Sequence, residues 1–165
     1  MNKKDNTAKA YFAGGCFWGV EYLFEHKDGV ISATSGYMGG SLDNPTYNDV
    51  SHGNSGHIEA VKIEYDPAIV SYEELTKFFF EIHDPTQENR QGPDIGDQYA
   101  SAIFYGNEEE KIIIYKLIDI LKSKGYEIVT KVIEETTFWD AEDYHQNYYD
   151  KKKSQPYCHA YNKKF

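Results

Sequence analysis

Cysteine is scarce: the 165 residues hold 2, far apart, with no CxxC pair. A small secreted scaffold usually carries more, so a disulfide framework is not expected, and two distant thiols point to chemistry or to nothing. Long apolar runs are missing too. No stretch approaches the ~18 residues of a membrane span. Met1-Asn2-Lys3-Lys4-Asp5-Asn6 leads into no apolar segment, so no signal peptide and a cytoplasmic location are expected. Basic charge is in deficit, with 17 Lys+Arg against 27 Asp+Glu and a formal net charge of -10. Such a surface repels nucleic acid phosphates and anionic membranes, so neither is expected as a partner. There is no internal repeat, P-loop, GxGxxG or HExxH. The 6 His lack metal-site spacing, and His57-Ile58-Glu59 is followed by no PCxxC, so a zinc site is not expected.

What is present is globular: 40% hydrophobic, 27% charged and 16% aromatic, with 15 Tyr. The length suits one domain with a sizeable core. Strands are expected over 9–13, 30–37, 57–65, 99–105 and 127–133. Helices are expected over 16–26, 71–82 and 107–124, from apolar spacing such as Phe17, Val20, Leu23, Phe24 and Ile113, Leu117, Ile120, Leu121. Ser71 and Glu74 form a capping-box pattern, and Gly125 closes the last helix. Residues 39–56 and 84–97 read as long loops, which in a compact domain are usually functional or disordered. The order strand-helix-strand-strand-helix-strand predicts an α/β (α+β) two-layer split βαβ, ferredoxin-like plait with a mixed sheet, long active-site loops and an irregular C-terminal tail. The chain is read as a single catalytic domain, 1–165, with about 150–165 as a tail carrying Cys158.

The chemistry centres on Gly14-Gly15-Cys16-Phe17-Trp18-Gly19, between a strand and a helix. A thiol at a helix N-terminus faces unpaired N–H groups, which lower its pKa and favour thiolate. The first turn is a poor place to bury both Phe17 and Trp18, which suggests that they serve a site. The alternative is an ordinary buried cysteine in a helix that packs by those two rings. Glu59 shares a strand face with Val61 and Ile63 and is expected to point inward, where a carboxyl needs a partner or a raised pKa. Taken alone, Tyr47 could be a loop anchor, Tyr99 a half-buried strand residue and Asp94 a turn former.

Gly15-Cys16-Phe17-Trp18-Gly19 resembles the signature of the A-type peptide methionine sulfoxide reductases. The resemblance extends in order through Thr34-Ser35-Gly36-Tyr37, Pro45-Thr46-Tyr47 and Gly56-His57-Ile58-Glu59-Ala60-Val61. It continues through residues 79–86, 90–96, Gln98-Tyr99, residues 141–146 and Tyr148. It implies a Cys16 thiolate attacking the sulfoxide sulfur, with Glu59 as a neutral acid giving the oxygen its proton. Tyr47 and Tyr99 would hold that oxygen, Asp94 would lie near the thiol, and Phe17 and Trp18 would enclose the S-methyl group. Methionine leaves and Cys16 becomes a sulfenic acid. By the same resemblance Tyr157-Cys158 supplies the resolving thiol, no bound cofactor is needed, and an external dithiol such as thioredoxin reduces the disulfide. The family acts on the S epimer.

Two positions depart from the family's pattern. The flanks Ser154-Gln155-Pro156 and His159-Ala160-Tyr161 lack the family's tail glycines, which ease the swing toward Cys16, and Ala100 stands where many members carry Arg. The rival readings are a cysteine acyl-transfer enzyme with a base such as His57, and an aromatic-rich module that binds methionine peptides.

Overall fold

A computed structural model describes residues 7–53, 55–152 and 159–165. The backbone runs β1 (Ala8–Gly14), α1 (Phe17–Glu25), β2 (Val30–Met38), α2 (Tyr47–Ser51), β3 (Ile58–Tyr65) and α3 (Tyr72–Glu81). It continues as β4 (Arg90–Gln91), β5 (Asp94–Ile95), β6 (Ser101–Tyr105), α4 (Glu108–Ser123), β7 (Lys131–Glu134), β8 (Trp139–Asp140) and α5 (Tyr148–Lys152). Six strands form one sheet in the order β7-β6-β1-β3-β2-β8. Its central four strands, β6-β1-β3-β2, have the ferredoxin-like order and pair antiparallel. β7 joins β6 in parallel, so the sheet is mixed.

Side chains alternate across the pleat and divide the interior in two. Phe12, Val61, Ile63 and Ile103 join Phe24, Phe79, Leu75 and Leu117 from the helices in the main core. The Phe12 ring stacks on Phe24 at 5.2 Å and on Phe79 at 5.1 Å. Tyr11, Ala13, Met38, Ala60, Ala102 and Phe104 face the other way, under Phe138 and Ile133. Glu59 lies on the helix-covered face with Val61 and Ile63.

Several local expectations change. α4 buries Ile114, Leu117, Ile118 and Leu121, a face rotated from the one read in the sequence, because the run Ile112-Ile113-Ile114 leaves the stripe ambiguous. At Ser71 only half of the capping box forms: its hydroxyl accepts from the Glu74 N–H and meets the Glu74 carboxylate. The complete box lies at Thr46 and Asp49, where it starts α2 inside the stretch read as loop. Residues 84–97 contain the β4–β5 hairpin. Tyr99 closes a 3-10 turn, Asp97–Tyr99, ahead of the strand. The strand expected over 127–133 shortens to β7, Lys131–Glu134, since the N–H of Val129 is spent on the Pro85 carbonyl instead of the sheet.

Candidate active site

The turn from β1 into α1 carries Cys16. Gly15 takes φ +94, a conformation open to glycine at little cost, and turns the chain so that Cys16 caps the helix. Cys16 is 7% exposed. Phe17, the next residue, sinks into the main core at 1% exposure. The expectation that the first turn would hold both rings out of the core therefore fails for Phe17: α1 lies on the sheet with Phe17, Val20 and Phe24 turned toward it. Trp18 is half-buried. Its indole stacks on Tyr148 at 3.8 Å and 8°, and its N–H donates to His145 Nδ1 at 3.0 Å.

Glu59 meets this turn directly. At 1% exposure it accepts from the Phe17 N–H through Oε1 at 3.2 Å and from the Gln98 amide through Oε2 at 2.6 Å. Each carboxylate oxygen thus has a donor, which buried polar groups require. The phenols of Tyr47, first residue of α2, and Tyr99 lie close to one another. Burial holds both hydroxyls above their ordinary pKa. The Cys16 charge also bears on Tyr47, and the Asp94 charge on Tyr99. Both phenols are therefore neutral donors at physiological pH. Asp94 sits on β5, in the hairpin that leads to Tyr99. The structure thus brings Cys16, Phe17, Glu59, Tyr47, Tyr99 and Asp94 around one end of the sheet, with Trp18 on α1 beside them. Cys158 lies outside the described residues.

Five residues that sequence reasoning left without a role hold this arrangement: Gln98, Glu142, His145, Glu21 and Gln146. Gln98 braces Glu59. Glu142 accepts from the Tyr37 hydroxyl at 2.9 Å, from the Tyr47 N–H at 3.1 Å and from the Tyr144 hydroxyl at 3.2 Å, and these donors hold its carboxyl below the usual range against the opposing effect of burial. His145 is enclosed by the rings of Phe17, Trp18, Tyr47 and Tyr144. Burial lowers its pKa, and acceptance at Nδ1 sets the neutral tautomer with its proton on Nε2. Buried Glu21 of α1 takes the Ser35 hydroxyl and the Asn147 N–H, while Gln146 bonds both the N–H and the carbonyl of Ser35. These bonds fasten the chain carrying Glu142 and His145 to α1 and β2. Gln98, Glu142 and His145 lie inside sequence blocks that pointed to the site; Glu21 had no signal beyond its place in a helix.

His57 cannot serve as a base. Its Nδ1 accepts from the Gly40 N–H at 3.0 Å and its Nε2 lies 2.6 Å from the Leu42 carbonyl, so both ring nitrogens are engaged in holding the 39–56 segment. That removes the geometric footing of the acyl-transfer reading. Among the described residues no group of His, Cys, Asp and Glu could hold a metal ion, and no helix is long and apolar enough to cross a membrane. Ala100 is buried in the smaller core, so the arginine common in the family has no counterpart here at the surface.

The profile of the family described as peptide methionine sulfoxide reductase matches residues 8–165. The chain belongs to that family. The peptide methionine sulfoxide reductase MsrA of Nautilia profundicola is 51% identical over 150 residues, covering 91% of this chain and 87% of its own. The crystal structure of Mxr1 from Saccharomyces cerevisiae in reduced form superposes with a TM-score of 0.90 at 32% identity, covering 98% of this chain and 96% of that one. Mxr1 in complex with Trx2 gives a TM-score of 0.66 at 24% identity, covering 98% and 94%, and shares the fold. This reductase is accordingly a thiol oxidoreductase acting on methionine sulfoxide, and neither rival reading is supported.

Proposed function

We propose that Cys16 is the nucleophile and Glu59 the proton donor in the reduction of methionine S-sulfoxide, free or within oxidised proteins. The Cys16 thiolate attacks the sulfoxide sulfur. Glu59 protonates the departing oxygen, which is a poor leaving group as bare oxide. The neutral phenols of Tyr47 and Tyr99 donate to that oxygen as charge builds on it. The half-buried Trp18 flanks the methyl group with the buried Phe17 ring behind it, and Asp94 supports the Tyr99 side. The hydroxyl passes to the Cys16 sulfur as the bond between the two sulfurs breaks; substrate sulfur gains two electrons and leaves as methionine, and Cys16 loses two and holds the oxygen as a sulfenic acid. Cys158 condenses with it, forming a disulfide and releasing water.

An external dithiol then reduces the disulfide. Yeast Mxr1 has been captured in complex with Trx2, which favours a thioredoxin in that role here. On this reading residues 1–165 act as a single catalytic domain, with about 150–165 as the tail carrying Cys158. The enzyme repairs oxidised methionine in the cytoplasm, where such reductants keep thiols reduced.

The observation that carries the reading is the 3.2 Å bond from the Phe17 N–H to Glu59, which ties a buried carboxyl to the residue after the thiol. Wild type should convert an oxidised-methionine peptide with dithiothreitol, and Cys16→Ser should not; activity persisting in the serine variant removes the nucleophile. Cys158→Ser should complete the first turnover and then recycle poorly with thioredoxin. Equal recycling of both proteins by thioredoxin removes Cys158 from the mechanism.

A further inference from the structure

The glycines beside Cys16 hold a side chain that the mechanism above does not use. His159 is 5% exposed, and its Nε2 lies 2.6 Å from the Gly14 carbonyl oxygen. A Cβ on Gly19 would come 2.3 Å from His159 Nδ1 and 2.8 Å from its Cγ, and the three atoms nearest to such a Cβ all belong to His159. Gly19 lies within α1, where alanine is the better helix former by about 1 kcal/mol. Glycine at 19 therefore serves the approach of the imidazole. The residues that follow are docked as well. The Asn162 N–H donates to the Glu81 carbonyl at 2.7 Å, and the Lys164 N–H to the Glu81 carboxylate at 3.0 Å. The Lys164 ammonium donates to the His83 carbonyl, and the Phe165 ring packs near Phe80. Residues 159–165 are thus fastened along the end of α3, in contrast to a tail that reaches its target through glycine-rich freedom.

We infer that His159 is a positioning residue for the resolving step: bound to the Gly14 carbonyl and seated against Gly19, it moors the C-terminal segment beside the turn that carries Cys16. The inference rests on the assignment of Cys158, one peptide bond before His159, as the resolving thiol. In that step the S–O bond of the Cys16 sulfenic acid breaks and the S–S bond forms. The Cys158 proton leaves with the hydroxyl as water, and no outside oxidant or reductant takes part. Anchoring the chain one peptide bond from a reactant limits how far that reactant can stray and so raises its effective concentration.

The test is a single turnover with one equivalent of oxidised-methionine peptide and no reductant, quenched at intervals, with methionine formed and thiols remaining both counted. Methionine formed per chain reports an intact site in every variant. His159→Ala and Gly19→Ala should each form methionine at the wild-type rate yet close the disulfide about tenfold more slowly. His159→Gln, which keeps an N–H donor for the Gly14 carbonyl, should restore most of the rate. Combining Gly19→Ala with His159→Ala should add little, since both remove one contact. Closure at the wild-type rate in His159→Ala, or fully additive losses in the double variant, overturns the mooring. If the wild-type protein itself keeps the Cys158 thiol after its first turnover, the resolving assignment falls, and the mooring with it.

Discussion

Glu59 is a carboxyl buried deeply enough to need two donors, and it has them. The backbone N–H of Phe17 cannot be removed by substitution, but the Gln98 amide can. Gln98→Leu leaves Glu59 Oε2 without that donor and lets the carboxyl swing. We expect kcat to fall about tenfold with KM nearly unchanged, because the loss is felt in proton transfer to the leaving oxygen. Steady-state kinetics on an oxidised-methionine peptide check this; equal rises in KM would mean that Gln98 binds substrate instead. Glu59→Gln keeps the shape and loses the acid. Its kcat at neutral pH should drop on the order of 100-fold while peptide affinity holds, and an unchanged kcat would end the proton-donor assignment. Glu59's inward orientation was legible from its neighbours Val61 and Ile63. Its pairing with Gln98 was not, because 39 positions of sequence separate them.

The site is assembled from short elements that leave little periodic signal. α2 spans only Tyr47–Ser51, yet it carries one of the two phenols, and its start is set by Thr46 and Asp49 in a reciprocal capping box. Thr46→Ala should cost about 1 kcal/mol locally. Because so short a helix has little else to hold it, the consequence should be a loosened Tyr47: a several-fold drop in kcat/KM with a small change in thermal midpoint, and near-complete recovery in Thr46→Ser. The Glu142–Gln146 stretch works the same way from the other side, bonding Tyr47, Ser35 and Trp18 at once. Its residues stood out as a block of sequence, but their roles depend on partners from three other elements. By contrast, α1, α3 and α4 were visible because turn-by-turn apolar spacing and caps are local, even though the rotation of α4 was not.

Acid should unfold the molecule through its buried imidazoles. His83 is enclosed with Nδ1 donating to the Phe79 carbonyl and Nε2 accepting from the Ser101 hydroxyl, and burial drives its pKa down to about 3. In the unfolded chain it takes a proton near its ordinary value of 6.5. Between those two values the unfolded state binds more protons, so stability falls as pH drops, by up to roughly 1.4 kcal/mol per pH unit. His145, also lowered by burial, acts in the same direction. Urea midpoints should therefore decline steadily from pH 6.5 to pH 4, and His83→Gln, which can still bond the Phe79 carbonyl, should decline less steeply. Parallel slopes in the two proteins would refute the assignment to His83.

The strand and helix order, the inward face of β3, the thiol at the tip of α1 and the family itself can be read from the chain, because each rests on local periodicity, turn chemistry or an ordered set of motifs. Folding added the bracing of Glu59 by Gln98, the capture of His57 by backbone, the seating of Phe17 in the core and the docking of His159 on the Cys16 turn. Those facts join residues that are remote along the chain. Their partners are chosen by how the sheet twists and how the helices lie upon it, and no local pattern encodes that choice.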